Sequence, residues 1–175
     1  MVVDLSHYAS DFSKTSYDGM KKKSLIVNDY YTIYNFDDVA KDMCQCYRAG
    51  EYLASADALS FSSGEIFLIE FKNQPTRNID RRVIQKKAFD SLYLLQHAVF
   101  PNASLDYLSK HTTFYVIHAG SSNPSFDNFK RRAGELAKQK DNQLDFGLSR
   151  FKEFYKGIYT VSAKEFIAKH LENVV

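Results

Sequence analysis

Residues 55–73 constrain the fold of this chain most, because they combine a hairpin pattern with charged residues at one end of an apolar run. Two short β-forming runs lie either side of Ser63 and Gly64, a pair typical of a tight turn. The second run, residues 66–71, is apolar enough to predict a strand that is buried on both faces. Glu70 and Lys72 lie two residues apart, so their side chains share one face at the end of this strand.

The length of the turn decides which residue faces Glu70. A two-residue turn pairs Ser62 with Glu65 and sets Asp57 opposite Glu70, whereas a three-residue turn shifts the register by one and turns Asp57 to the other face. Carboxylates that face each other destabilise a hairpin unless a cation compensates them. Two carboxylates beside a lysine are suited to Mg²⁺, which prefers oxygen ligands and takes some of them from substrate phosphates.

Asp57, followed by Glu70-Phe71-Lys72 at the end of the next strand and then by a long basic helix, resembles the motif of the PD-(D/E)XK nuclease superfamily. The resemblance covers residues 35–120, and Ala56 stands where the family motif has its proline. It implies an α/β fold with a central mixed β-sheet flanked by helices, of the restriction-endonuclease-like type. It also implies catalytic roles for Asp57, Glu70 and Lys72, and a Mg²⁺ or Mn²⁺ ion held by Asp57, Glu70 and the carbonyl of Phe71.

A helix is predicted to precede the hairpin, with Asn35 as its N-cap. Asp37 and Asp38 fall in its first turn, where the helix dipole favours negative charge. The resemblance implies that an acid from this helix joins the metal site. Asp38 is the first candidate, with Asp42 and Glu51 as the others, and a solvated helix face is the alternative for each of them.

A second helix is predicted to follow the hairpin, from a cap at Asn78 to about residue 100, where Pro101 ends it. Its start is rich in basic residues, which we expect to hold nucleic-acid phosphates; a solvated basic face is the alternative. These residues are Arg77, Arg81, Arg82, Lys86 and Lys87. Gln85 lies on the same helix, and resemblance to subfamilies with Gln followed four residues later by Tyr implies a contact with the substrate strand, although Phe89 stands at the fourth position here.

The remaining chain is predicted to extend the same domain, which comprises residues 1–175 with a core at about 35–120 and a C-terminal strand and helices at 124–175. Strands that alternate with helices predict a mixed sheet. The predicted elements are a strand at 112–119, a helix at 126–140, a short helix at 148–155, a strand at 157–161 and a last helix opened by a capping box at Ser162 and Glu165.

Composition narrows the class of protein. A hydrophobic content of 45% argues against disorder, and a net charge of +2 is too small to identify a nucleic-acid binder by itself. No apolar run approaches the ~18 residues of a membrane span, and the N-terminal residues lack a signal-peptide core. Cys44 and Cys46 are too close for a usual disulfide, which indicates reduced thiols and a cytoplasmic location.

The resulting functional expectation is a nuclease that hydrolyses phosphodiester bonds, with DNA favoured over RNA as the partner and internal cleavage favoured over cleavage at ends. By the same resemblance, a homodimer is one expected arrangement. The alternative is an inactive module of the same fold that binds nucleic acid or a protein partner. A plain salt bridge between Glu70 and Lys72 is the remaining interpretation, although buried ion pairs stabilise less than apolar packing does.

Overall fold

A six-stranded mixed β-sheet forms the centre of the fold. The computed structural model describes residues 3–46, 53–120 and 145–175. Two short strands, β2 (Tyr17–Asp18) and β3 (Lys23–Ser24), pair with each other outside this sheet. The sheet has the order β1-β4-β5-β6-β7-β8 and consists of β1 (Ala9–Ser10), β4 (Ile33–Asn35), β5 (Ala58–Ser62), β6 (Glu65–Lys72), β7 (Thr112–His118) and β8 (Gly157–Ser162).

Helices flank the sheet. They are α1 (Phe12–Thr15), α2 (Phe36–Cys46), α3 (Arg81–Leu94), α4 (Leu105–His111), α5 (Ala163–Lys169) and α6 (Leu171–Val174). Three 3-10 segments, Leu5–Tyr8, Thr76–Asn78 and Asp145–Phe154, and a π-helical turn at Leu95–Val99 complete the described elements. The predicted α/β class with a central mixed sheet flanked by helices is therefore confirmed. The helix predicted at 126–140 lies outside the described residues.

The predicted hairpin is confirmed together with its register. Ser63 and Gly64 both have positive φ, at 51° and 80°, as a two-residue turn of the type that matches the twist of the strands requires. Ser62 pairs with Glu65, and the register runs without a bulge to Ala58 opposite Ile69. One further step along this register reaches Asp57 and Glu70, so the turn brings the two acids face to face.

Strands β6, β7 and β8 run parallel, and this half of the sheet is covered on both faces. Residues two apart in β6 share a face, so Leu68 joins the core under α2 and α3, whereas Ile69 and Phe71 join the core on the other face. Glu70 lies on the same face as Leu68, which directs its carboxylate toward α3. Within the described ranges, no helix combines the length and the apolarity that crossing a bilayer requires.

The helices α2 and α5 begin where the sequence predicts, but α3 begins later than predicted. Asn35 Oδ1 accepts a hydrogen bond from the Asp38 amide at 3.2 Å, and Ser162 Oγ accepts one from the Glu165 amide, which confirms both predicted caps. Asn78 does not cap α3, because it lies in a 3-10 turn and the next residues are extended. Asp80 is the cap instead, and its carboxylate accepts a hydrogen bond from the Arg82 amide at 2.8 Å.

The C-terminal half also departs from the sequence prediction in two places. The segment predicted as a short helix at 148–155 is a longer 3-10 segment, Asp145–Phe154, with positive φ at Phe146 and Gly147. Helix α4 was not predicted, and Ser104 caps it by accepting a hydrogen bond from the Tyr107 amide at 3.1 Å. Strands β7 and β8 lie where the sequence predicts them.

Ser91 connects α3 to the segment that enters β5. Its buried hydroxyl oxygen accepts a hydrogen bond from the buried amide of Ala56 at 2.7 Å, one residue before Asp57. Ser91→Ala leaves that amide without a partner, so we expect it to lower the free energy of unfolding by about 1–3 kcal/mol in urea titrations. The control is Ser109→Ala, which removes an exposed hydroxyl bonded to the Asp106 carbonyl. Equal stability of the two variants would contradict the expectation.

Candidate functional site

The candidate site lies at the edge of the sheet where β5 begins and the parallel strands end. Asp57 immediately precedes β5, and Lys72 is the last residue of β6, with Glu70 two residues before it. The register aligns Lys72 with His118 of β7 and His118 with Ser162 of β8, so the three parallel strands end together. The carboxyl ends of parallel strands are the usual position of binding crevices in open α/β sheets.

Two acids and two lysines form one charged cluster at this edge. Lys87, from α3, places its Nζ 2.9 Å from Asp57 Oδ1 and 2.8 Å from Glu70 Oε2. Lys72 Nζ lies 2.6 Å from the other oxygen of Glu70, Oε1. Asp57 Oδ2 accepts a hydrogen bond from the Phe71 amide at 2.6 Å. Lys87 therefore bridges the facing carboxylates whose juxtaposition the hairpin register predicts.

Burial makes the charge of Glu70 costly. Its side chain has no exposure to solvent, and this burial, together with the neighbouring charge of Asp57, raises the pKa of Glu70 to about 7. Lys87 and Lys72 act in the opposite direction. Burial lowers the pKa of Lys87, but the carboxylates of Glu70 and Asp57 outweigh burial and raise this pKa above its ordinary value. The two carboxylates therefore favour the protonated, positively charged form of Lys87.

The carboxylates have the chemistry of a divalent-cation site. Glu70 Oε1 is buried, and Lys72 Nζ lies 2.6 Å from it, so a positive charge already stands beside this oxygen. Carboxylate oxygens are also the ligands that Mg²⁺ prefers. Among the residues that the structure describes, no three or more His, Cys, Asp or Glu side chains are grouped to hold a metal. Mg²⁺ does not require a full protein cage, since one or two carboxylates with water and substrate phosphate are its usual ligands.

A cleft of about 430 Å³ opens beside the cluster and gives a substrate access to it. Asp57, Phe71 and Lys72 line this cleft, and so does Asp37 from α2. The side chain of Phe71 is buried against Phe12 on the far face of the sheet, so Phe71 can contribute to the site through its backbone. Lys72 keeps 21% of its side chain exposed at the cleft.

The helix acid that lines the cleft is Asp37, one residue before the predicted candidate. Asp37 Oδ1 accepts a hydrogen bond from the buried hydroxyl of Ser55. The carboxylate of Asp38 is held by Lys41 Nζ and by the side-chain amide of Asn35, both at 2.7 Å. Asp42 accepts a hydrogen bond from the hydroxyl of Tyr8 at 2.9 Å, and Glu51 lies outside the described residues. The structure therefore makes Asp37, rather than Asp38, the candidate for an additional acid at the cleft.

Asp57 and Glu70 form their ion pairs with Lys72 and Lys87, and not with Arg81, Arg82 or Lys86 of the predicted phosphate-binding residues. Arg81, Arg82 and Lys86 are exposed at the start of α3, and Lys86 is paired with Asp90. Arg77 belongs to the 3-10 turn Thr76–Asn78 that precedes the helix. Gln85 donates a hydrogen bond from Nε2 to the carbonyl of Phe146 at 2.6 Å, which fastens α3 to the C-terminal 3-10 segment.

Lys87 is the residue of the cluster that the sequence interpretation assigned to a different role. It was grouped with the basic residues expected to bind phosphate, but its side chain is only 15% exposed and its ammonium contacts both acids. The sequence itself indicated that Lys87 lies close to the core. Lys87 directly precedes Ala88 and follows Ile84 by three residues, so it borders the buried stripe of α3. A lysine in that position needs an acidic partner inside the fold.

Comparisons with protein-family models, with curated proteins and with solved structures found no match to this chain. The chemistry of the site must therefore be inferred from its own residues. These are two facing carboxylates, two lysines that contact them, and an open cleft to which Asp37 also contributes.

Proposed function

We propose that this protein is a metal-dependent nuclease of the restriction-endonuclease-like type that hydrolyses phosphodiester bonds within DNA. The observation that supports this proposal best is the meeting of Asp57 and Glu70 beside Lys72, at the mouth of a cleft. The sheet supports it as well, because an antiparallel hairpin leads through α3 into the parallel strand β7, with the acids at the shared edge. The motif resemblance of these three residues points to the same reaction.

Asp57, Glu70 and the carbonyl of Phe71 are the groups that would hold Mg²⁺ or Mn²⁺. When bound, such an ion supplies polarisation of the scissile phosphate and a water of lowered pKa. Lys72 lies at the cleft, so its ammonium can contact a phosphate oxygen and stabilise the charge that develops there. Asp37, on the same cleft, can orient a water molecule or accept its proton.

Lys87 neutralises the two acids in the absence of a divalent ion. Its ammonium contacts one oxygen of each carboxylate, Asp57 Oδ1 and Glu70 Oε2. Lysine carries its charge on a flexible stem of four carbons, so the ammonium can withdraw from Asp57 while it remains near Glu70. In this proposal, Lys87 neutralises the two acids of the folded protein, and Asp57 and Glu70 would hold a divalent ion when the ammonium withdraws from Asp57.

The same contacts favour a second candidate function, an inactive module of this fold that binds nucleic acid without cleaving it. Lys87 and Lys72 together balance the charges of Asp57 and Glu70. A cluster that is already neutral needs no metal to be stable. The two candidates differ in one measurable property, because the nuclease cleaves DNA only with a divalent ion and the module does not cleave DNA under any condition.

The deciding experiment incubates the protein with supercoiled plasmid and with single-stranded circular DNA, in Mg²⁺, in Mn²⁺ and in EDTA. We expect cleavage in either metal and none in EDTA. Asp57→Asn and Glu70→Gln are expected to lower the rate at least about 100-fold, because each removes several kcal/mol of metal-dependent stabilisation. Both variants keep the shape of the side chain.

Glu65→Gln is the matched control, since Glu65 lies at the other end of β6 and pairs with Lys156. This variant is expected to cleave DNA at the parent rate. Absence of cleavage by the parent protein in both metals, with DNA binding retained, would support the inactive module instead.

A further inference from the structure

The cleft has a second wall, to which the proposed reaction assigns no role. This wall belongs to residues 15–24, here called the N-terminal arm, which include the short strands β2 and β3. The residues of the arm that line the cleft are Thr15, Ser16, Tyr17, Asp18, Met20 and Lys21. They line the same cleft as Asp37, Asp57 and Lys72. A molecule that fills this cleft therefore contacts the arm as well as the acids.

The arm is held in place on the sheet. The buried hydroxyl of Ser16 accepts a hydrogen bond from the Ile26 amide at 3.0 Å and donates one to the Ile26 carbonyl at 3.2 Å. Asn73, which follows β6, donates a hydrogen bond from Nδ2 to the Lys23 carbonyl at 3.3 Å. Phe12, just before the arm, is fully buried against Phe71 with ring centroids 6.2 Å apart. The arm therefore has a fixed position relative to Glu70 and Lys72.

The turn of the arm presents aromatic and basic side chains to solvent. Asp18 Oδ1 accepts hydrogen bonds from the amides of Met20 and Lys21, at 3.0 and 3.2 Å, which fixes the turn. Tyr17 is 53% exposed although it lines the cleft. Three consecutive lysines, residues 21–23, are exposed. The ammonium of Lys21 lies 3.9 Å from Asp18 Oδ2, which is a long distance for an ion pair. The arm thus carries an exposed ring and three exposed lysines, of which Lys21 lines the cleft beside Asp18.

This combination matches a single strand of nucleic acid. Bases stack on exposed aromatic side chains, and lysines along a groove contact the phosphates. The volume of the cleft, about 430 Å³, lies within the range of sites for small ligands. A base can stack on Tyr17 inside this cleft only when it is free of its partner strand, because the bases of a duplex are paired and stacked on one another.

We propose that the N-terminal arm binds an unpaired segment of DNA, with Tyr17 stacked on a base and Lys21, Lys22 and Lys23 at the flanking phosphates. This inference builds on the proposed function and specifies its substrate as a single strand, or a single-stranded region of a longer DNA. The arm presents the scissile phosphate to the edge of the sheet that carries Asp57 and Glu70. It therefore determines which DNA structures are cleaved.

Binding without cleavage tests this inference. The full chain is titrated in EDTA against a fluorescein-labelled thymidine oligonucleotide, a duplex of the same length and a uridine oligoribonucleotide, with fluorescence anisotropy as the readout. We expect the single strand of DNA to bind about tenfold more tightly than the duplex. Tyr17→Ala is expected to weaken single-strand binding about tenfold, which corresponds to the loss of one stacked base. Tyr17→Phe, which retains the ring, is expected to bind as the parent does.

The lysines are tested through the salt dependence of binding. Replacing Lys21, Lys22 and Lys23 together by alanine removes three phosphate contacts, so the slope of log affinity against log salt should fall by about 2 for a single strand. Tyr107→Ala and Lys110→Ala are the controls, because both residues are exposed on α4, before the opposite end of β7. Both controls are expected to leave the affinity and the slope unchanged. Thermal unfolding of each variant shows that the fold is retained.

The outcomes separate this inference from the proposed function. Equal affinity for single strand and duplex, with no effect of the arm variants, overturns the role of the arm while metal-dependent cleavage by the parent still stands. If the parent protein neither cleaves DNA nor binds any of these nucleic acids, both this inference and the proposed function are overturned. Tighter binding of the ribonucleotide strand, with the same dependence on Tyr17, supports the single-strand role and overturns the assignment of the strand as DNA.

Discussion

Lys72→Ala is expected to lower the rate of metal-dependent DNA cleavage at least about 100-fold, which is the cost of removing one group that stabilises charge in a transition state. Lys72 lies at the cleft, and its ammonium is 2.6 Å from the buried oxygen of Glu70. The alanine variant keeps Asp57, Glu70 and Lys87, so it retains the carboxylates that would bind the ion. We therefore expect Mn²⁺ to bind the variant at least as tightly as the parent, because a competing positive charge has been removed.

Two measurements are needed for this variant. Single-turnover cleavage reports the chemical step, and electron paramagnetic resonance of free Mn²⁺ reports metal affinity. Lys156→Ala serves as the control, since Lys156 forms an ion pair of the same length, 2.6 Å, with Glu65 at the other end of the strand. Cleavage by Lys72→Ala at the parent rate would show that Lys72 acts only as a counter-ion of Glu70.

Lys87→Met is expected to lower the free energy of unfolding by about 3 kcal/mol in EDTA at mildly alkaline pH, as breaking a buried ion pair on one side does. The methionine retains the length and the apolar contacts of the stem, so the loss is that of the ammonium between Asp57 and Glu70. Lys87 lowers the pKa of Glu70, so the variant raises this pKa above the value of about 7 in the parent. The loss is therefore expected to shrink as the pH falls through the raised pKa, because a protonated carboxyl needs no counter-ion. Saturating Mn²⁺ is expected to reduce the loss as well, since an ion bound only to the folded state stabilises it.

Urea titrations with and without Mn²⁺ measure this effect. Lys86→Met, one residue earlier on α3, is the control, because Lys86 is more exposed and pairs with Asp90. Its loss is expected to be smaller than that of Lys87→Met, because Lys86 is 56% exposed and Asp90 keeps the hydrogen bond that it accepts from the Ala54 amide. If Lys87→Met is as stable as the control and Mn²⁺ does not change its stability, the ammonium of Lys87 is not the counter-ion of Asp57 and Glu70.

The parts of this fold that depend on local sequence were predictable. Ser63 and Gly64 specify a two-residue turn, which fixes the register and therefore the meeting of Asp57 with Glu70. The cap of α2 at Asn35 also follows from neighbouring residues alone. Both features need only hydrogen bonds and backbone preferences within a few residues, so tertiary packing does not change them.

The parts that depend on packing between distant elements were not predictable. The start of α3 moves from Asn78 to Asp80 because Ile79 is extended and buries its side chain in the core. The rotation of α3 over the sheet, which selects Lys87 rather than Lys86 for the acids, is fixed by the burial of Ile84 and Ala88. Tertiary contacts are needed to identify these positions.

The choice between the neighbouring acids of α2 has the same physical origin. Asp37 and Asp38 point about 100° apart around the helix axis. Phe36 and Val39 are fully buried, and this rotation directs Asp37 to the cleft and leaves Asp38 half exposed near Lys41. Both acids suit the first turn of a helix equally well, so their order in the sequence carries no information about the cleft.

The burial of Glu70 depends on a strand that comes late in the sequence. The reactive groups and the arm come from residues 15–87, in the first half of the sequence, whereas β7, which pairs Val116 with Glu70, comes from the second half. The early segment thus provides the charged groups, and the late segment helps to bury Glu70, which raises the pKa of that carboxyl. Substitutions in β7 that loosen its pairing with β6 are therefore expected to lower the pKa of Glu70 toward its ordinary value, although they change no charged residue.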